Sequence, residues 1–387
     1  MKIIHCADLH LDSRLNTHFT TEQAAARREE LLDNFQRLVD YALQNGVSVI
    51  LIAGDLFDSE EISLHAVQTV CRTILDAPSI AFFYLTGNHE QQGFIRKLVQ
   101  LPKNLKLFRD RLTSYRFHGG SVTISGMNPG PGYREELYRE LNLPQDSYNI
   151  LMLHGQLAGG AATNGQEERI DLRALSHRNI DYLALGHVHS HMEGRLDARG
   201  AYVYPGCLEG RGYDECGEHG FVLLEVDPET HTAKHEFIPF AQRRIEEVTV
   251  ELHGTETTPQ LLDRIREALL IAGCGIGDMA GVRLTGQAGP DCQTAPGVLG
   301  KALLGEYYDL KLTDETIKLR QEEMLQSGPD VPGEGRDDAG AGDYRQDKTL
   351  KGEFVRLVSE DETLSEEDRK AILQYGLAAL LGEEVLP

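Results

Sequence analysis

Val47-Ser48-Val49-Ile50-Leu51-Ile52-Ala53-Gly54-Asp55-Leu56-Phe57-Asp58 is an apolar run halted by a glycine and an acid. The run has strand length and no polar alternation, which predicts a strand covered on both faces. Gly54 allows a tight turn, and Asp55 then projects from the strand's carboxyl end, where open α/β sheets hold their ligands. Working outward, similar runs stand at residues 3–4, 80–85, 150–153 and 182–185. Helical spacing of apolar residues fills 22–44 and 64–77 between the first three. Beyond residue 202 the pattern turns to short strands at 202–204, 221–226 and 234–240. A sheet-rich, layered α/β core covered by helices is the expectation.

Each buried run ends in residues that bind metals or move protons. Asp8-Leu9-His10 follows the first; residues two apart on a strand point the same way, so a carboxylate and an imidazole could grip one ion. Asp55 follows the second. Gly87-Asn88-His89-Glu90 follows the third, where Asn88 offers an amide oxygen and His89 can reach a leaving group without serving as a ligand. His154 and the pair His187 and His189 follow the last two, the pair facing one pocket. Singly, each has an ordinary structural explanation: a polar strand end, a capping acid, a core histidine. Five in succession do not.

Composition limits the partners. The chain has 387 residues, a formal net charge of −23 and six cysteines without C-x-x-C spacing. Broad electrostatic capture of nucleic acid is disfavoured, so a polyanionic substrate needs bound cations or a basic partner. The cysteines fit reduced thiols. No apolar run approaches the roughly 20 residues of a membrane span, and the opening Met1-Lys2-Ile3-Ile4-His5 carries no apolar leader. A cytoplasmic protein with no membrane partner is expected.

The order D-x-H, G-D, G-N-H-E, H, G-H-x-H resembles the calcineurin-like metallophosphoesterase superfamily over residues 1 to about 240. Within it the chain looks most like the bacterial SbcD and YhaO type of double-strand-break repair nuclease. That likeness is carried by His5-Cys6-Ala7-Asp8-Leu9-His10-Leu11, by Gly54 to Asp58 and by Tyr204-Pro205-Gly206-Cys207-Leu208-Glu209-Gly210-Arg211. Val282-Arg283-Leu284-Thr285-Gly286 and Gly352-Glu353-Phe354-Val355-Arg356 stand where YhaO-like proteins carry similar segments. The resemblance implies a four-layer αββα sandwich with a small α+β cap domain and a helical C-terminal tail. It also implies two divalent ions: Asp8, His10, Asp55 and His189 on one, and Asp55, Asn88, His154 and His187 on the other. Manganese is the family's usual choice, and the nitrogen and oxygen donors suit iron or zinc too. His89 matches the histidine that steadies the phosphate and protonates the leaving oxygen. Arg211 could touch substrate phosphate or fix the turn after Pro205-Gly206. Glu90 replaces the Asp of many relatives, and Asp58 stands where some archaeal and eukaryotic relatives have His.

The implied activity is a metal-dependent phosphodiesterase working as a DNA exonuclease or endonuclease in DNA repair. Its implied partners are DNA and an SMC-like coiled-coil ATPase, with a homodimer as a further expectation. Protein phosphatases of the superfamily usually carry an Arg just after G-D, and Leu56-Phe57-Asp58-Ser59-Glu60 has none, which favours a diester. Hydrolysis of cyclic nucleotides, nucleotides or phosphoproteins, and a non-catalytic scaffold for the ATPase, stay open as alternatives. The expected divisions are 1–240 for the nuclease domain, 241–326 for the cap and 327–347 for a flexible linker rich in Gly and acids. Residues 348–387 form the partner-binding tail, where Leu350, Phe354, Leu357 and Val358, then Leu373, Leu377, Leu380 and Leu381, repeat a helical spacing.

Overall fold

The computed structural model describes residues 1–318 apart from 16–18, 91, 131–132 and 159–168, and beyond 318 only Phe354, Leu357, Val358, Arg369 and Ile372. In chain order its strands are β1 (Lys2–Cys6), β2 (Val49–Ala53), β3 (Ala81–Leu85), β4 (Leu105–Leu107), β5 (Thr113–Phe117) and β6 (Val122–Gly126). Then come β7 (Tyr148–His154), β8 (Gln156–Leu157), β9 (Arg169–Ile170), β10 (Tyr182–Gly186), β11 (Met192–Arg195) and β12 (Ala201–Tyr204). Last are β13 (Gly220–Asp227), β14 (Thr232–Pro239), β15 (Ile245–His253), β16 (Met279–Ala288), β17 (Asp309–Asp314) and β18 (Ile317–Lys318).

Two six-stranded sheets make the core, one ordered β14-β13-β1-β2-β3-β4 and the other β11-β12-β10-β7-β6-β5. Strands β1 to β4 run parallel, as do β6, β7, β10 and β12, so their carboxyl ends gather on one edge of each sheet. Alternation along each strand builds the layers. Val49, Leu51 and Phe83 of the first sheet meet Ile124, Ile150 and Tyr182 of the second in a shared inner core. Ile50, Ile52 and Phe82 face the other way, onto helices α1 (Thr21–Gln44) and α2 (Leu64–Leu75). Leu151, Leu153, Leu183 and Leu185 face a third cluster on the far side. The fold is the four-layer α/β sandwich expected of a metallophosphoesterase.

Helix α1 shows why these layers hold. Thr20 and Gln23 form a reciprocal capping box at its start. Leu31, Phe35, Leu38, Val39 and Ala42 then bury one face against the sheet. The same helix also buries Arg27 and Asn34, which donate to Glu209 beyond β12; Arg27 Nη2 donates as well to Gly210 O at 2.7 Å. Glu209 further accepts from the amides of Gln242 and Arg243. A buried carboxylate with this many donors pins the Tyr204 to Arg211 segment to the helix layer.

A separate sheet, parallel in the order β15-β16-β17 with β18 also on β16, forms its own apolar cluster with the helices Thr258–Ile271 and Pro296–Ala302. It lies in the same compact unit, Met1–Gln321, as the two large sheets, while Glu322–Pro387 forms another. The five described residues beyond 318 are helical; the linker at 327–347 and the rest of the tail lie outside the described residues. Among the described residues no helix is long and apolar enough to cross a membrane.

Candidate metal centre

The sandwich brings all of the sequence-predicted ligands to the carboxyl ends of β1, β2, β3, β7 and β10. The means differs from strand alternation. Asp8 and His10 lie beyond the end of β1, and both adopt left-handed backbone, with φ 52 and 45. Asp55 (φ 49) and His187 (φ 101) do the same beyond β2 and β10. Non-glycine residues rarely take this conformation, and clusters of it mark sites where surrounding structure holds strain. Here the sharp turns, rather than the pleat, swing successive side chains inward. They are pinned by sheet-like bonds: Asp8 N donates to Gly54 O (3.1 Å) and His10 N to Asp55 O (3.0 Å).

Donor atoms converge in two groups that share the Asp55 carboxylate. In the first, His10 Nε2 and His189 Nε2 face each other at 3.1 Å, and His10 Nε2 lies 3.9 Å from Asp55 Oδ2. Asp8, His10 and His189 each present a donor atom close enough to share one ion. In the second, His154 Nε2 lies 3.3 Å from Asp55 Oδ2 and 3.0 Å from Asn88 Oδ1. The His187 ring stands edge-on to that of His154, with centroids 5.3 Å apart, and its backbone N–H donates to both Asp8 oxygens at 2.9 Å.

The protonation pattern tests whether cations fit. His154 Nδ1 is 2.9 Å from Ala53 O, which can only accept, so Nδ1 carries a proton and Nε2 points between two oxygens. Without a cation that second nitrogen must also be protonated. Burial opposes the charge on His154, yet Asp55, with help from Asp8, outweighs it and raises its pKa to about 9. Burial together with the nearby Asp55 charge pushes Asp8 up to about 7, while His154 and His10 hold Asp55 well below the usual carboxylate range against its own burial. Burial drives His10 and His187 down to about 4. Two buried carboxylates stand beside two imidazoles kept neutral, His10 and His187, and beside His154, whose second proton occupies the place between two oxygens that a metal ion could take. Divalent cations fit such a donor set.

His89 stands at the rim and is exposed. Its Nδ1 lies 3.1 Å from the carbonyl of Asp58, so that nitrogen donates, and Nε2 is the ring nitrogen not taken up by this bond. Its amide donates to Asp55 Oδ1 at 3.1 Å, and its ring stands edge-on to His10 with centroids 5.0 Å apart. Arg211 is engaged elsewhere: its guanidinium donates to Glu215 and, at 2.8 Å, to Asp58 Oδ1.

Residues 1–191 match the family model for the calcineurin-like phosphoesterase. The chain carries a calcineurin-like phosphoesterase domain. The domain is similar to the uncharacterized metallophosphoesterase YhaO of Bacillus subtilis, 28% identical over 58% of this chain and 57% of that protein. It is also similar to the DNA double-strand break repair protein Mre11 of Haloferax volcanii, 25% identical over 69% of this chain and 58% of the relative. The protein of that name from Methanopyrus kandleri is 26% identical over 70% and 64%. The chain thus spans less than two thirds of the length of these relatives. Among solved structures, a dimetal phosphatase from Danio rerio aligns with 14% identity and a TM-score of 0.39, covering 58% of this chain and 92% of that one.

Two further side chains, Asp58 and, beyond the matched residues, Glu215, touch the ligand-type residues, and the sequence did not mark them as such. Glu215 Oε1 accepts from His189 Nδ1 at 2.7 Å, which leaves Nε2 free to face His10. Burial works against the Glu215 charge, but His189 and Arg211 hold its carboxyl well below the usual range. Asp58 Oδ1 lies 3.1 Å from His10 Nδ1, off the line of a good hydrogen bond. Asp58 had two signals, its place three residues after Asp55 and the His that some relatives carry there; Glu215 had none.

Proposed function

We propose that the chain is a two-metal phosphodiesterase that cleaves nucleic acid, with Asp8, His10, Asp55 and His189 holding one divalent ion and Asp55, Asn88, His154 and His187 the other. Support comes above all from the convergence of these donors around one shared carboxylate at the carboxyl edge of both sheets. Bound divalent ions, with manganese the first choice, would supply an activated water nucleophile and the charge that stabilises a phosphoryl group. The chain's own part is to fix these donors with strained, hydrogen-bonded turns, and to present His89 at the rim, where its imidazolium form, with Nδ1–H held by the Asp58 carbonyl, can steady a phosphate oxygen and give the Nε2 proton to the leaving group.

The similarity to proteins named for DNA double-strand break repair supports DNA as substrate, and with it an SMC-like ATPase partner docked on residues 348–387. A homodimer is part of the same proposal. Incubation with manganese and end-labelled single-stranded, blunt and hairpin DNA tests the substrate, with cyclic dinucleotides and bis-p-nitrophenyl phosphate as controls. Cleavage of DNA is expected. Turnover of the cyclic dinucleotides alone would move the substrate to a small diester, and turnover of nothing would leave a scaffold. Removing residues 348–387 should abolish co-purification with the ATPase while diesterase activity persists.

A further inference from the structure

Residues 96–116 hold seven basic residues and one acidic residue, in a chain whose formal charge is −23. Elsewhere many arginines are paired, among them Arg72 with Asp76, Arg199 with Asp181, Arg243 with Glu30, Arg266 with Glu306 and Arg283 with Glu247. Among the described residues none of the seven cations of 96–116 lies within ion-pairing distance of a carboxylate. Lys103, Lys106, Arg109 and Arg111 line one cleft of about 500 Å³ beside Leu107 and Tyr115. An acid-rich protein has left one concave surface uncompensated.

The cleft runs along the outer strands of the two large sheets, from Lys103 before β4 to Arg109 and Arg111 beyond it, on the carboxyl side where the candidate metal centre also lies. β4 is the outer strand of the first sheet and β5 that of the second. Arg109 follows the carboxyl end of β4, and the chain crosses through Arg111 to Thr113, which pairs with Gly126 at the carboxyl end of β6. Asn128 joins this crossing to the loop that carries Asn88 and His89. Its side-chain oxygen accepts from Thr86 N (3.1 Å), its amide nitrogen donates to Phe108 O (3.0 Å), and its backbone N–H donates to Arg109 O (2.7 Å).

We propose that this cleft binds the phosphate backbone of a nucleic acid strand whose reacting phosphate sits at the metal centre, contacting it through Lys103, Lys106, Arg109 and Arg111. The inference rests on the proposed substrate class and goes further by naming a second contact surface. The basic edge gives an acidic protein a local attraction for a polyanion. It also makes grip on the strand independent of bound metal.

The test is fluorescence anisotropy with end-labelled single-stranded and duplex DNA in EDTA over a series of salt concentrations. The full chain is compared with the variant Lys103→Glu, Lys106→Glu, Arg109→Glu and Arg111→Glu, and with the corresponding Gln variant in case the charge reversals impair folding; thermal unfolding checks each. The expected result is at least about a tenfold weaker affinity, with the salt slope reduced by about one for each phosphate that is no longer neutralised. Unchanged affinity and slope in a folded variant would overturn the cleft while sparing the proposed function. If the unaltered chain binds neither DNA at low salt in EDTA, the cleft fails, while the nucleic-acid substrate stands or falls by the cleavage assay with manganese. If polyglutamate displaces DNA from these residues as well as unlabelled DNA does, the surface is an acidic-protein site and the proposal is overturned.

Discussion

The two halves of the candidate metal centre are held by different means. The half containing His10 and His189 is braced by side chains: Glu215 fixes His189, Asp58 flanks His10, and Arg211 joins the two acids. The half containing His154 and Asn88 is braced by backbone. His154 Nδ1 bonds to Ala53 O, and the chain closes so tightly that a Cβ on Gly54 would lie 2.1 Å from that nitrogen, and one on Gly87 1.9 Å from Asp55 Oδ1. A side-chain brace can be weakened in steps, by altering charge or hydrogen bonding. A backbone brace fails at once when space is lost. Losses in the first half should therefore be graded and metal-rescuable, and losses in the second abrupt.

The shared residue gives the largest effect. Asp55→Asn should abolish diesterase activity and lower the bound metal, because it removes charge from both halves at once. Metal analysis and bis-p-nitrophenyl phosphate turnover read it; full activity with two ions bound would break the division into halves around Asp55. Next comes Gly54→Ala, where the new methyl meets His154 and the backbone sits at φ +95, strained for any side chain. It should cost more than about a hundredfold in turnover, on the order expected when a ligand is displaced, and added manganese should not restore it. Rescue by excess metal would show that this half yields as softly as the other.

His89→Ala belongs to neither brace. It should keep both ions and slow turnover by about a hundredfold or more, with a smaller loss for diesters bearing a good leaving group. Equal losses for good and poor leaving groups would remove His89 as the proton donor. Glu215→Gln is the mildest, because the amide oxygen can still accept from His189 while its charge is gone. Metal affinity should fall roughly 10-fold to 100-fold at one ion of the two, with turnover recovering at high manganese. Loss of both ions in a titration would mean that Glu215 supports the whole centre.

The sequence disclosed these regions unequally. Central strands such as β2 are buried on both faces, so their apolar runs stood out. Strands β4 to β6 were missed: β4 has three residues, and β5, at the outer edge of its sheet, alternates half-buried with exposed positions in Thr113–Phe117. Ligand types were legible because imidazoles and carboxylates after buried strands are conspicuous. How they converge was not, since the left-handed turns at Asp8 and His10 have no glycine to announce them; at Asp55 alone the preceding Gly54 did. Asp58 read as a departure from relatives, and Glu215 lies 26 residues from His189 in an irregular segment, where no periodicity links the two.

The pairing of β1 also governs when the centre can come into being. Strand β1 lies between β2 and β13, with Ile4 opposite both Ile50 and Leu223, and the Asp8 carboxylate waits for the amide of His187. A ribosome adding roughly 5–20 residues per second needs on the order of ten seconds or more to travel from Asp8 to His187. Through that interval the growing chain displays acids and imidazoles without the geometry to hold ions between them. The candidate centre is completed only once His187 and His189, near the middle of the 387 residues, have been made, and a message truncated before them would yield a polypeptide with several of the donor residues and no assembled site.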